Sequence, residues 1–285
     1  MSELPPTDIT GDDLAESLAA IDERSPLVQH LTNEVTMNDV ANLTLHWDAL
    51  PVMADSPGDA GEMAAGASAI LFNTGQVPAG KVDAMHEAAE TAAANDIPVV
   101  LDPVGVGSTP TRESVAEELL EAVDFAVIKG NYGEISALAG VEAEVKGVES
   151  VGEYNEIEDA ARSLAESTGA TVVASGVADV VATGAGVVRL TAGHEMLGQV
   201  VGTGCMLGGT IAAFHGALED ATTAALHGTL AFGIAGERAA ELDYNGPASY
   251  ATNFHDAVAG LDAETAAALD LSERLESVES VESGE

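Results

Sequence analysis

The chain has 285 residues, long enough to bury a substantial core in one large domain or two small ones. Its 48 acidic residues stand against 9 basic ones, a formal net charge of −39, and such a surface repels nucleic-acid phosphate and anionic membranes. Hydrophobic residues make up 46% of it, which separates it from a disordered polyanion.

Residues 1–25 read as a polar, acidic lead-in with a short helix. From Leu27 the apolar pattern tightens. Ser68 to Asn73 reads as a buried strand, Ala79 to Asn95 as a helix and Ile97 to Asp102 as a second strand. Thr111 to Ala122 has helical spacing, Phe125 to Ile128 is a third strand, and Tyr132 to Ala139 a helix. Glu156 to Thr168 is helical and Ala170 to Ala174 a fourth strand. Alternation of short apolar strands with helices predicts α/β architecture, a largely parallel sheet covered on both faces. Val177 to Leu190 reads as a hairpin around Thr183-Gly184-Ala185-Gly186. Beyond it the chain turns helical: Met206 to Ala217, Thr222 to Glu241, and Ala248 to Ala259. Residues 268–285 read as an acidic, frayed tail, and the whole of 1–285 as one domain.

The charge has a second implication. Acids dispersed over amphipathic helices suit a protein kept compact by high internal salt, the surface chemistry of a halophile. The single cysteine, Cys205, excludes an internal disulfide and a cysteine zinc cluster. The segment MSELPPTDIT lacks a basic, apolar signal pattern, and no run of about 18 apolar residues occurs, so a cytoplasmic location is expected.

Open parallel sheets place ligands beyond the carboxyl ends of their strands. Those ends here are Asn73-Thr-Gly75, Asp102-Pro-Val-Gly-Val-Gly107, Lys129-Gly-Asn131 and Ser175-Gly176, each joining a polar residue to glycine. Asp102 at a strand end can hold Mg²⁺ directly or through water, or it can cap a turn. Lys129, one of three lysines, can meet a phosphate or face solvent. Glu134 can reach a metal's water shell or complement the following helix's dipole. Gly202-Thr203-Gly204-Cys205 opens a helix, so its free N–H groups form an anion site suited to a transferring phosphoryl group. Cys205 at a helix start is expected to have a lowered thiol pKa and could act as a base, or it packs as a small hydrophobe. A P-loop, a G-x-S-x-G elbow and a zinc-protease motif are all absent from the sequence.

Taken together, these residues resemble the hydroxyethylthiazole kinase family of the ribokinase-like superfamily, from about Pro26 to about Leu261. The carriers are Leu31-Thr-Asn33 with Asn38, Ala41 and Asn42, then Pro51-Val-Met-Ala54, Leu101-Asp-Pro-Val-Gly105, and Ile128-Lys-Gly-Asn131 with Glu134. Lys146-Gly147-Val148, Ser175-Gly176 with Asp179, Val201 to Leu207, and Gly246-Pro-Ala-Ser249 complete them. The resemblance implies a three-layer α/β/α fold and ATP- and Mg²⁺-dependent phosphorylation of the hydroxyl of 4-methyl-5-(2-hydroxyethyl)thiazole in thiamine salvage. It implies thiazole contacts at Asn33, Met53 and Gly202, and ATP contacts at Lys129 and Ser175. It also implies Mg²⁺-side carboxylates at Asp102 and Glu134, catalysis at the turn Gly202, Thr203, Gly204 and Cys205, and a homotrimer. Two positions depart from the family's usual residues: Lys129 stands for arginine, which loses the planar fork, and Ser175 stands for threonine. A related kinase for a hydroxymethylpyrimidine, a non-catalytic nucleotide-binding protein and an acidic interaction module are the competing readings.

Overall fold

A computed structural model describes residues 5–141 and 153–278. Lys146, Gly147 and Val148, part of the family resemblance, lie outside the described residues, as does the end of the acidic tail. The strands are β1 (Leu27–Leu31), β2 (Leu50–Val52), β3 (Ala69–Asn73), β4 (Val99–Asp102), β5 (Val127–Asn131), β6 (Thr171–Ser175), β7 (Asp179–Thr183), β8 (Gly186–Leu190) and β9 (Leu275–Val278). The helices are α1 (Gly11–Arg24), α2 (Met37–His46), α3 (Asp59–Ala64), α4 (Ala79–Ala94), α5 (Pro110–Ala122), α6 (Tyr132–Leu138) and α7 (Glu153–Thr168). They continue with α8 (Thr203–Ala217), α9 (Ala221–Glu241), α10 (Pro247–Ala259) and α11 (Ala263–Ala267), and a 3₁₀ turn spans Glu195–Gln199.

The strands form one nine-stranded sheet in the order β2-β1-β3-β4-β5-β6-β7-β8-β9. β1 to β6 pair in parallel, and β7, β8 and β9 extend the sheet antiparallel. Alternation along the strands sends side chains to opposite faces. Val28, Leu71, Val100, Val127 and Val173 pack with α1, α2, α8, α9 and α10, whereas Leu31, Ile70, Phe72, Leu101 and Ile128 pack with the α3 to α7 side. The result is the expected three layers. No helix among the described residues is long and apolar enough to cross a membrane.

Two ends of the chain differ from the sequence reading. The lead-in contains a 14-residue helix, α1, capped at Thr10 by a reciprocal pair with Asp13, and it drives Leu14, Leu18 and Ile21 into the core. Leu275–Val278 is no frayed tail but an edge strand paired with β8, and nearby Arg274 grips Glu237 on α9 through two hydrogen bonds of 2.6 and 2.7 Å. Acidic composition concealed the strand because only Leu275 and Val278 turn toward protein, while Glu276 and Ser277 stay exposed.

Candidate active site

β1 is flanked by β2 on one side and β3 on the other, so the strand order reverses at β1. A crevice at such a reversal, beyond the carboxyl ends, is where open α/β sheets bind ligands. The polar residues at these ends form a continuous hydrogen-bonded chain. The Asn33 amide, just past β1, donates to Cys205 Sγ at 3.4 Å and to Asn73 Oδ1, on β3, at 3.0 Å. Asn73 Nδ2 donates to Asp102 Oδ2, on β4, at 2.7 Å. Lys129, on β5, completes the chain with its ammonium 3.4 Å from Asp102 Oδ1. Four adjacent strand ends are thereby joined to the first turn of α8.

That turn is built by glycine. Gly202 caps α8 with φ +94°, and a Cβ there would lie 2.5 Å from Thr36 Cγ2, so both backbone conformation and space require glycine. No side chain caps α8, which leaves its first N–H groups without a side-chain partner at the helix start beside these strand ends. A Cβ on Gly204 would lie 3.2 Å from Lys129 Nζ, which places the buried ammonium beneath the helix start. Positive charge and backbone donors thus converge on one spot, and Gly204 there is open to solvent. The Thr203 hydroxyl takes no part; it donates to Leu197 O at 2.9 Å and Val200 O at 3.2 Å, anchoring the approach to the turn.

The electrostatics are set by burial. Asp102 is fully buried, and burial, opposed by Lys129 and aided by Glu134, raises its carboxyl to about 6. Burial opposes the Lys129 charge, but the attraction of Asp102, Glu134 and Cys205 leaves the ammonium pKa above its ordinary value. Burial and the neighbouring Asp102 carboxylate push the Cys205 thiol up. The helix-start expectation of a lowered thiol pKa is therefore corrected: desolvation and the Asp102 charge outweigh Lys129 and the hydrogen bonds to the sulfur.

The other expected residues take definite places. Lys129 lies within β5, not after it as the apolar run suggested. Glu134 caps α6: Oε2 accepts the Asn131 N–H at 2.8 Å, and Oε1 accepts the Gly105 N–H at 2.8 Å. It therefore ties α6 to the loop that follows Asp102. Asn33 spends its amide as described and its oxygen on the N–H groups of Val35 and Thr36, both at 3.1 Å. Met53 is half-buried just past β2, in a loop held by Gln29, which donates to Ala54 O at 2.9 Å, and by Lys81, which pairs with Asp55 at 3.0 Å and donates to Thr32 O. Ser175 donates to Gly130 O at 3.3 Å, and Asp179 accepts the Gly176 N–H at 3.0 Å. Asn73 is the central link that was read only as part of the rim. Its signal was its register, opposite Asp102 in the parallel pairing.

The fold and this rim define a ribokinase-like α/β protein. A ribokinase-like superfamily protein of Enterococcus faecalis V583 superposes over 90% of this chain and 91% of its own, with a TM-score of 0.59 at 12% identity. Residues 18–264 match the hydroxyethylthiazole kinase family, and the chain belongs to that family. It is 52% identical over 254 residues to the hydroxyethylthiazole kinase of Natronomonas pharaonis, covering 88% of this chain and 91% of the relative. The solved structure of the hydroxyethylthiazole kinase protein of Pyrococcus horikoshii OT3 covers 93% of this chain and 99% of its own, with 35% identity and a TM-score of 0.83.

Proposed function

We propose that this chain transfers the γ-phosphoryl group of ATP to the hydroxyl of 4-methyl-5-(2-hydroxyethyl)thiazole. The observation that carries this reading is the convergence of the Lys129 ammonium and the uncapped α8 turn at the reversal of strand order. Phosphoryl transfer demands chiefly positioning and charge stabilisation, and both are built into that spot. The substrate hydroxyl oxygen attacks the γ-phosphorus, its proton passes to an oxygen of the transferred phosphoryl group, the bond to the bridging β–γ oxygen breaks, and ADP leaves. The N–H groups of Thr203, Gly204 and Cys205 stabilise the transferring oxygens, and Lys129 adds a fixed positive charge. Thiazole contacts fall to Met53 and the Gly202 backbone, while Asn33 holds the thiol side of the pocket. Ser175 lies on the nucleotide side of the rim.

The donor set fits Mg²⁺. This ion takes one or two carboxylates and keeps several waters, and Asp102 and Glu134 are two carboxylates with oxygen lone pairs to spare beyond the hydrogen bonds above. When bound there, Mg²⁺ would neutralise charge on the β- and γ-phosphates. Asp102 and Glu134 would hold it, largely through water.

We further assign the chain to the cytoplasm and to a homotrimer. The outer edge of β2, which pairs with no further strand among the described residues, with Leu50 48% exposed and Leu45 on α2 50% exposed, supports self-association. An ADP-release assay with the thiazole alcohol, with and without Mg²⁺ in molar KCl, tests the activity. Turnover with a hydroxymethylpyrimidine and none with the thiazole would reassign the substrate.

A further inference from the structure

Arg112 lies on α5, outside the residues considered so far. Its guanidinium gathers three backbone carbonyls: Nη1 donates to Thr74 O at 3.0 Å and to Val104 O at 2.6 Å, and Nη2 donates to Gly75 O at 2.8 Å. Thr74 and Gly75 leave β3, and Val104 follows Asp102 at the exit of β4. The carbonyl dipoles converge and repel one another unless a cation stands among them. A planar fork with fixed N–H directions suits that arrangement better than an ammonium.

The loop also wraps tightly around the guanidinium. Gly105 has φ +77°, and a Cβ there would lie 2.8 Å from Arg112 Nη1. From the other side the Gly105 N–H donates to Glu134. The segment after Asp102 is thus held between a cation and a carboxylate, and the cation binds it to the exit of β3, where Asn73 holds Asp102.

We propose that Arg112 is a positioning residue for the nucleotide and Mg²⁺ side of the site. It holds the exits of β3 and β4 in one register, so that Asp102 faces the phosphates. The inference rests on the kinase reading of Asp102. Arg112 makes none of these bonds to the α8 turn or the Met53 loop, so its loss acts first on the Asp102 side of the crevice.

The test compares Arg112→Ala and Arg112→Lys with the wild-type chain by calorimetric titration with MgADP, the Mg²⁺ dependence of turnover, KM for the thiazole alcohol, and thermal unfolding. Outer partners of metal ligands typically contribute 10–100-fold. Arg112→Ala is expected to weaken MgADP binding and raise the Mg²⁺ requirement by about that factor, with KM for the thiazole alcohol unchanged. Millimolar guanidinium ion is expected to restore part of the loss, and Arg112→Lys to fall between. Wild-type MgADP affinity in Arg112→Ala overturns the proposal. So does a parallel loss of MgADP and thiazole binding that tracks the unfolded fraction and that guanidinium does not restore. A wild-type chain that binds MgADP but leaves the thiazole alcohol unphosphorylated refutes the substrate, and the MgADP titration still judges Arg112. A wild-type chain that binds no MgADP refutes the nucleotide reading and this inference together.

Discussion

Asn73 and Asp102 are partners across the parallel pair β3–β4, and the amide of the first donates to the carboxylate of the second at 2.7 Å. The bond fixes which way the carboxylate faces and leaves its other oxygen to Lys129. Charge at the site therefore depends on the protonation of Asp102.

The sign of that dependence follows from burial. The Asp102 pKa is raised to about 6, so the carboxyl becomes neutral as pH falls through that value. A neutral carboxyl is a poor metal ligand, and metal binding releases its proton. MgADP affinity is expected to be steady above about pH 7 and to fall nearly tenfold per unit well below pH 6. Calorimetric titrations between pH 5 and 7.5 check this. A flat profile would remove Asp102 from the metal side of the site.

The Cys205 thiol, raised by burial and by Asp102, stays protonated at neutral pH. General-base catalysis contributes about 10²–10⁴-fold. Cys205→Ala is expected to lose less than about 10²-fold in kcat, because the backbone donors of the turn remain. A loss near 10⁴-fold, recovered by Cys205→Asp, would give the thiol the base role after all.

Gly202→Ala should be costly for two separable reasons: a left-handed backbone at φ +94° and a methyl 2.5 Å from Thr36 Cγ2. Strain of the first kind costs about 1–3 kcal/mol. Thr36→Ser deletes the clashing methyl, so the double variant is expected to regain part of the stability lost in Gly202→Ala. Equal stability of single and double variants, measured by urea unfolding, would show that crowding contributes nothing.

The −39 charge predicts a stability that rises with salt. The screening length shrinks from about 10 Å at 0.1 M to about 3 Å at 1 M. The unfolding midpoint is expected to climb between 0.1 and 2 M KCl. An unchanged midpoint would dissociate the acidic surface from salt adaptation.

The sheet core was legible where strands carry an unbroken apolar run, as in Ala69–Asn73 and Thr171–Ser175. β1 escaped because Gln29 and His30 interrupt its run. Both are fully buried, with Gln29 bonded to Ala54 O and Ala60 O and His30 to the Thr44 hydroxyl. Tertiary partners of this kind leave no local pattern. The same holds at the site. Asp102 and Lys129 announce themselves as polar residues near glycine at strand ends, and the α8 turn as glycines that open a helix. The family resemblance implies a thiazole contact at Asn33, whereas its hydrogen bonds to Asn73, Cys205 and two backbone amides leave no mark in the sequence. Arg112 carries no signal because its partners are carbonyls, which every residue has.

Lys129 has a last consequence. A lysine side chain free in water carries about 2 kcal/mol of rotamer entropy, which a surface lysine forfeits each time it closes on a phosphate. Here the ammonium is only 3% exposed and already seated between Asp102 and Gly204. The disorder is surrendered once, during folding, so under the proposed function an arriving nucleotide would meet a cation that has no further freedom to lose.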